Sequence, residues 1–129
     1  MSDKNWGQLM PTILVVEDDP HICKFITINL RARGYDTMAA ETVQEGLRLL
    51  KELVPQLLIL DLKLPDATGW QMLREIDSDP MLSKLPVVIV TASSPFSLPD
   101  EYSYPNIVKK LIKPFSSFDL TQVVGSVFA

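Results

Sequence analysis

Ile13-Leu14-Val15-Val16-Glu17-Asp18-Asp19-Pro20 is the stretch whose reading decides the fold. It opens with an uninterrupted apolar run rich in β-branched residues. Such a run is what a strand buried on both faces requires, and strands of that kind belong to parallel sheets. The run stops at acids. Asp19 followed by Pro20 is a helix start, with a capping side chain and then a proline at the first helical position, where no N–H is needed. Ile22, Phe25, Ile26 and Leu30 follow at helical spacing, and Gly34 suits a left-handed helix stop. The stretch therefore predicts a strand, an acidic turn and a helix, in that order.

Working outward, the same alternation repeats. Tyr35 to Ala40 reads as a second, more exposed strand. Thr42 and Glu45 have capping-box spacing, and Val43, Leu47, Leu50 and Val54 then line one helical face until Pro55. Leu57 to Leu60 is a third strand that stops at Asp61. Residues 68–77 predict a short helix with Leu73 and Ile76 inward, and Trp70 packs near its start. Val87 to Val90 is a fourth strand ending at Thr91, and residues 107–112 are a fifth, ending at Lys113-Pro114. Leu120, Val123, Val124 and Val127 mark a last helix. The crossover between Thr91 and Ile107 breaks the pattern. Pro95, Pro99 and Pro105 fall there, and an interior proline costs a helix roughly 3 kcal/mol. A mostly irregular connection is expected in place of a fourth helix, with Phe96, Tyr102 and Tyr104 covering the sheet beside it or forming a docking surface.

Length and composition narrow the function. The 129 residues suit one domain, with residues 1–10 a polar tail and 11–129 the folded part. At 47% hydrophobic and 22% charged, the chain has enough apolar side chains for a core and is not of the disordered class. A net charge of −4 gives no basic patch for direct nucleic-acid binding. Cys23 is the one cysteine, so no internal disulfide can form, and a cytoplasmic setting is expected. With His21 it supplies too few soft ligands for a zinc site. Apolar runs are broken before they could span a bilayer, so no membrane insertion is expected. His21 reads as a solvent-facing residue of a helix first turn, and Cys23 as a half-buried small one.

The strand ends carry the chemistry. In parallel α/β sheets ligands bind beyond the carboxyl ends of the strands, where strand order reverses. Here those ends hold Glu17-Asp18, Asp61, Thr91 and Lys113. Three converging carboxylates repel unless a cation or a proton relieves them. A hard divalent ion does so, and Mg²⁺ (or Mn²⁺) favours one or two carboxylates together with waters and phosphate oxygens. Asp61, alone at its strand end, can attack a phosphoryl group to form an acyl phosphate. Lys113 and the Thr91 hydroxyl would then neutralise and hydrogen-bond the phosphoryl oxygens.

These same residues are where the chain resembles the response-regulator receiver family. The matching stretches are Ile13 to Pro20, Leu58-Ile-Leu-Asp-Leu-Lys-Leu-Pro65 with Gly69, Pro86-Val-Val-Ile-Val-Thr-Ala92, and Lys113-Pro114-Phe115, in the family's order and over most of the chain. The resemblance implies a doubly wound α/β fold with a five-stranded parallel sheet in flavodoxin-like order 2-1-3-4-5 and helices on both faces. It implies Asp61 as phosphoacceptor and Glu17, Asp18, Asp61 and the Lys63 backbone carbonyl as metal ligands. Thr91 takes the place of the switch hydroxyl and Lys113 that of the phosphate-binding lysine, before a cis bond to Pro114. Ala92 takes that of a small residue that lets phosphate approach. It implies a histidine kinase or phosphotransfer protein as donor, a downstream protein target that the sequence does not name, and compatibility with a homodimer. Two features depart from the family. Lys110 stands where an aromatic residue usually couples to the threonine, and the fourth helix falls in the proline-rich 93–106 stretch.

The implied function is a phosphoryl-accepting switch in two-component signalling, not an enzyme beyond slow self-hydrolysis. The alternative is a receiver-like binding module that works without phosphorylation, which Lys110 and the proline-rich segment favour and the full acid, threonine and lysine set opposes. A haloacid-dehalogenase-type phosphatase would need an acid where Lys63 stands. A flavodoxin would need a phosphate loop of opposite character to Glu-Asp-Asp-Pro. No output domain is read in the chain, which is either a stand-alone receiver or part of a longer protein.

Overall fold

The computed structural model describes residues 11–64, 66, 68–92 and 104–129. Five strands alternate with helices: β1 (Thr12–Val16), α1 (Pro20–Ala32), β2 (Asp36–Ala40), α2 (Val43–Leu53), β3 (Leu57–Asp61), α3 (Gly69–Ser78), β4 (Val87–Thr91), β5 (Ile107–Ile112) and α4 (Ser117–Phe128). All strand pairs are parallel, in the order β2-β1-β3-β4-β5. The expected sheet is present. Order reverses between β1 and β3, so the ends of those two strands flank the natural crevice.

Continuous apolar runs become a two-sided core because alternate side chains leave opposite faces. Leu14, Val16, Leu58, Leu60, Val87 and Ile89 join α2 and α3 on one face. Ile13, Val15, Leu57, Ile59, Val88 and Val90 join α1 and α4 on the other. β1, β3 and β4 are buried along nearly their whole length, whereas β2 and β5 lie at the sheet edges and are largely exposed.

Helix starts follow local chemistry. Asp19 caps α1, accepting from the N–H groups of His21 at 2.8 Å and Ile22 at 3.3 Å, with Pro20 in the first turn. Gly34 follows α1 at φ 92°, and its N–H reaches Arg31 O at 3.0 Å. Thr42 caps α2 by accepting from Glu45 N–H, but the Glu45 side chain turns to Arg48 at 3.2 Å, so only half of the expected capping box forms. Full boxes form at α3 (Thr68 with Gln71) and α4 (Ser116 with Asp119).

Several expectations shift. Phe25 is 37% exposed, because Ile26, Thr27 and Leu30 form the buried stripe of α1. The buried face of α2 is Val43, Gly46, Leu49 and Leu50, with Leu47 half-buried. Val54 is not part of that face. It lies beyond the helix end in the left-handed region, at φ 46°, and is half exposed. The chain must turn there to feed Pro55 into β3. The third helix runs one residue later than expected. The crossover reading falls mostly on residues outside the described set, as do Phe96 and Tyr102. Tyr104 is buried and stacks on Trp70, with ring centroids 6.0 Å apart.

Candidate functional site

The ends of four strands, β1, β3, β4 and β5, deliver polar groups to the same rim. Glu17 and Asp18 follow β1. Asp61 closes β3 opposite Val90 of β4, and Thr91 closes β4 opposite Ile112 of β5. Lys113 follows β5, held by its N–H to Thr91 O at 2.8 Å. The Lys113-Pro114 peptide is cis. Ligand atoms of Glu17, Asp18 and Asp61 all lie within 4.8 Å of one another.

The cluster is buried on one side and open on the other. Glu17 and Asp61 are 1% and 4% exposed, whereas Asp18 faces solvent. Lys113 Nζ sits 3.0 Å from Glu17 Oε1 and 3.2 Å from Asp61 Oδ2. Asp61 Oδ1 accepts from Lys63 N–H at 3.0 Å, so both oxygens of Asp61 are oriented. Glu17 Oε2 accepts from Asp19 N–H at 3.0 Å. Its Oε1 is fully buried and meets Lys113 as an ion pair without hydrogen-bond alignment.

Burial is the main force on Glu17. It pushes the carboxyl up to about 7, against the Asp19 N–H and Lys113, which favour the charged form, with Asp61 adding repulsion. Lys113 loses some charge stability to burial, yet the Glu17 and Asp61 carboxylates more than compensate and hold it above the ordinary lysine range. Three acids facing one ammonium leave two negative charges when all are ionised. An under-coordinated buried oxygen, an exposed acid and an oriented aspartate form an all-oxygen donor set that fits a small divalent cation.

The remaining candidates take these places. Thr91 is 2% exposed at the end of β4, Ala92 is exposed just beyond it, and Lys63 is exposed in the loop after β3. Lys110 lies on edge strand β5 in register with Ile89, a position exposed to solvent. His21 is exposed and Cys23 half-buried. An apolar recess of about 450 Å³ opens beside Lys113, lined by His21, Ile22, Phe25, Pro114 and Phe115. Sequence reasoning did not single out Asp66, whose carboxylate accepts from the Val43 and Gln44 amides. No local spacing announces a contact across that distance.

A doubly wound parallel sheet with an acid cluster, a threonine and a lysine at its switch point defines a class, the phosphoryl-handling α/β switches. The response regulator receiver domain matches residues 13–125, and the chain belongs to that family. It is therefore a phosphorylatable signalling domain of two-component systems, a switch and not an enzyme in the ordinary sense. It is 37% identical over 83 residues to the DNA-binding dual master transcriptional regulator RpaA of Synechocystis sp., which covers 64% of this chain and 34% of that protein. The chain spans about a third of the length of the first curated relatives it matches. Among solved structures, the N-terminal domain of a response regulator receiver protein from Methanoculleus marisnigri is 31% identical, with TM-score 0.73 and coverage of 92% of this chain and 97% of that one. The receiver domain of sensor histidine kinase PA1611 from Pseudomonas aeruginosa, solved with a magnesium ion in its active site cleft, shares the fold at 22% identity and TM-score 0.82. The match covers 93% of this chain and 99% of that one. Among the described residues no helix is long and apolar enough to cross a membrane.

Proposed function

We propose that this domain accepts a phosphoryl group on Asp61, with Mg²⁺ held by Glu17, Asp18, Asp61 and the Lys63 carbonyl. The observation that carries the reading is the convergence of three acid side chains within 4.8 Å beside Lys113. A bound Mg²⁺ would supply positive charge against the phosphoryl oxygens and relieve repulsion among the acids. An oxygen of the Asp61 carboxylate attacks phosphorus, the bond from phosphorus to the donor imidazole nitrogen breaks, and that nitrogen keeps the electron pair. Lys113, already paired with Asp61, stays beside the new phosphate. Thr91, one residue past the Asp61 partner Val90, supplies a hydroxyl at the same rim. Slow hydrolysis of the acyl phosphate resets the domain.

The donor in this reading is a histidine kinase or phosphotransfer protein, for which the apolar recess beside Lys113 gives a docking place. Phosphorylation biases a two-state equilibrium and changes affinity for a downstream protein. Direct nucleic-acid contact is not part of this domain's role, a cytoplasmic setting is, and residues 11–129 form the functional unit. The test is incubation with acetyl phosphate followed by intact-protein mass spectrometry. A gain of one phosphoryl group that needs Mg²⁺ and disappears in Asp61→Asn supports the proposal. A folded protein that binds Mg²⁺ and gains nothing favours the phosphorylation-independent binding module, the reading to which Lys110 lends weight.

A further inference from the structure

Asp66 lies in the loop between β3 and α3, yet its carboxylate engages a different element. Oδ1 accepts from Val43 N–H at 2.9 Å and Oδ2 from Gln44 N–H at 3.1 Å. These are the first two amides of α2, donors that have no partner within their own helix. Thr42, the local cap, takes the third, Glu45 N–H. The start of α2 is thus capped from two sides, once by its own threonine and once by an acid more than 20 residues away. A carboxylate on two helix amides makes charge-assisted bonds at the positive end of the helix dipole.

The base of the same loop is the site. Lys63 N–H holds Asp61 Oδ1 at 3.0 Å. Lys63 and Thr68 form an antiparallel bridge, and Gly69 N–H closes on Leu62 O at 2.9 Å. The loop is fastened at its base and tied to α2 through Asp66.

We propose that Asp66 is a positioning residue for the cation and phosphoryl site. By tying the β3–α3 loop to the first turn of α2, it keeps the Lys63 peptide set against Asp61. Occupancy of the site and order at the start of α2 are thereby coupled. This rests on the reading of Asp61 and its acid neighbours given above. The coupling runs both ways, because linkage is reciprocal. A cation at the site steadies the Val43 and Gln44 amides, as those amides steady the site.

The experiment compares wild type, Asp66→Ala, Asp66→Asn and Thr42→Ala. The last removes the other acceptor at the same helix end. Three quantities are read: Mg²⁺ affinity by calorimetry, phosphoryl uptake from acetyl phosphate, and amide exchange at Val43 and Gln44 by NMR with and without Mg²⁺. Asp66→Ala should weaken Mg²⁺ binding by about tenfold, the scale of lost outer-shell support, and slow uptake. Asp66→Asn, which keeps one acceptor oxygen, should recover part of both. Thr42→Ala should leave both close to wild type. Mg²⁺ should slow exchange at Val43 and Gln44 in wild type and not in Asp66→Ala. Unchanged Mg²⁺ affinity and uptake in Asp66→Ala would overturn the proposal. So would equal losses in Asp66→Ala and Thr42→Ala, which would assign the effect to helix stability. A wild-type protein that binds no Mg²⁺ and takes up no phosphoryl group would overturn the proposed function, and this inference with it.

Discussion

Glu17 and Asp18 are neighbours in sequence and opposites in environment. Glu17 is buried against Lys113 and pushed up to about 7, while Asp18 faces solvent. They should fail in different ways when replaced. Asp18→Ala removes an exposed oxygen donor without opening the core, so thermal stability without cation should stay within about 0.5 kcal/mol of wild type. Mg²⁺ affinity should fall by at least about tenfold, as titration calorimetry can measure. Loss of fold with unchanged affinity would reverse the assignment. At this scale much was legible in advance. Glu17-Asp18, Asp61 and Thr91 follow apolar runs and Lys113 closes the fifth strand, and parallel strands bring such ends together. Asp66 was not legible, because its partners at Val43 and Gln44 are set by tertiary approach and not by any spacing along the chain.

At the scale of the element, two backbone positions test the account of how loops deliver the site. Val54 ends α2 at φ 46°, a region that β-branched residues avoid, and its side chain is 52% exposed. Val54→Gly should relieve more strain than it costs in chain entropy and raise stability by about 0.5–1 kcal/mol, read from denaturant midpoints. At Gly69 the constraint is space. A Cβ there would lie 2.8 Å from the Asp61 carbonyl oxygen and 2.9 Å from Leu62 Cα, both backbone atoms. Gly69→Ala should destabilise by about 1–3 kcal/mol and displace the loop that orients Asp61, lowering Mg²⁺ affinity in the same sample. Helix starts at Asp19 and Thr42 were readable because capping is local. The left-handed turn at Val54 was not, since a β-branched residue carries no sign of it. The half box at Thr42 shows the limit of spacing arguments, because Arg48 competes for the Glu45 side chain.

For the whole molecule, the buried acid makes stability, pH and cation binding one problem. The folded protein holds the Glu17 proton to about 7, above the ordinary value of 4.5. Between those values the native state binds more protons than the unfolded chain. The contribution of this group to stability is therefore complete below about 4.5 and lost as pH rises through about 7. Without cation, thermal unfolding should show wild type losing stability relative to Glu17→Gln between about pH 5.5 and pH 8, by on the order of 2 kcal/mol. Mg²⁺ favours the ionised acid, so it should offset that loss, and its affinity should rise over the same interval. Two-sided burial follows from the apolar runs and the strand order from the family resemblance, so the architecture was legible from sequence. The balance of charge at the rim needed the distances.

The most direct measurement is the chemical location of the phosphoryl group. An acyl phosphate is reduced by borohydride to the alcohol, a stable mark that a carboxylate lacks. Protein treated with acetyl phosphate and Mg²⁺, then reduced, digested and sequenced by mass spectrometry, should carry that mark at residue 61 and nowhere else. A mark at another acid, or none on protein that has gained a phosphoryl group, would contradict the assignment of Asp61 as the acceptor.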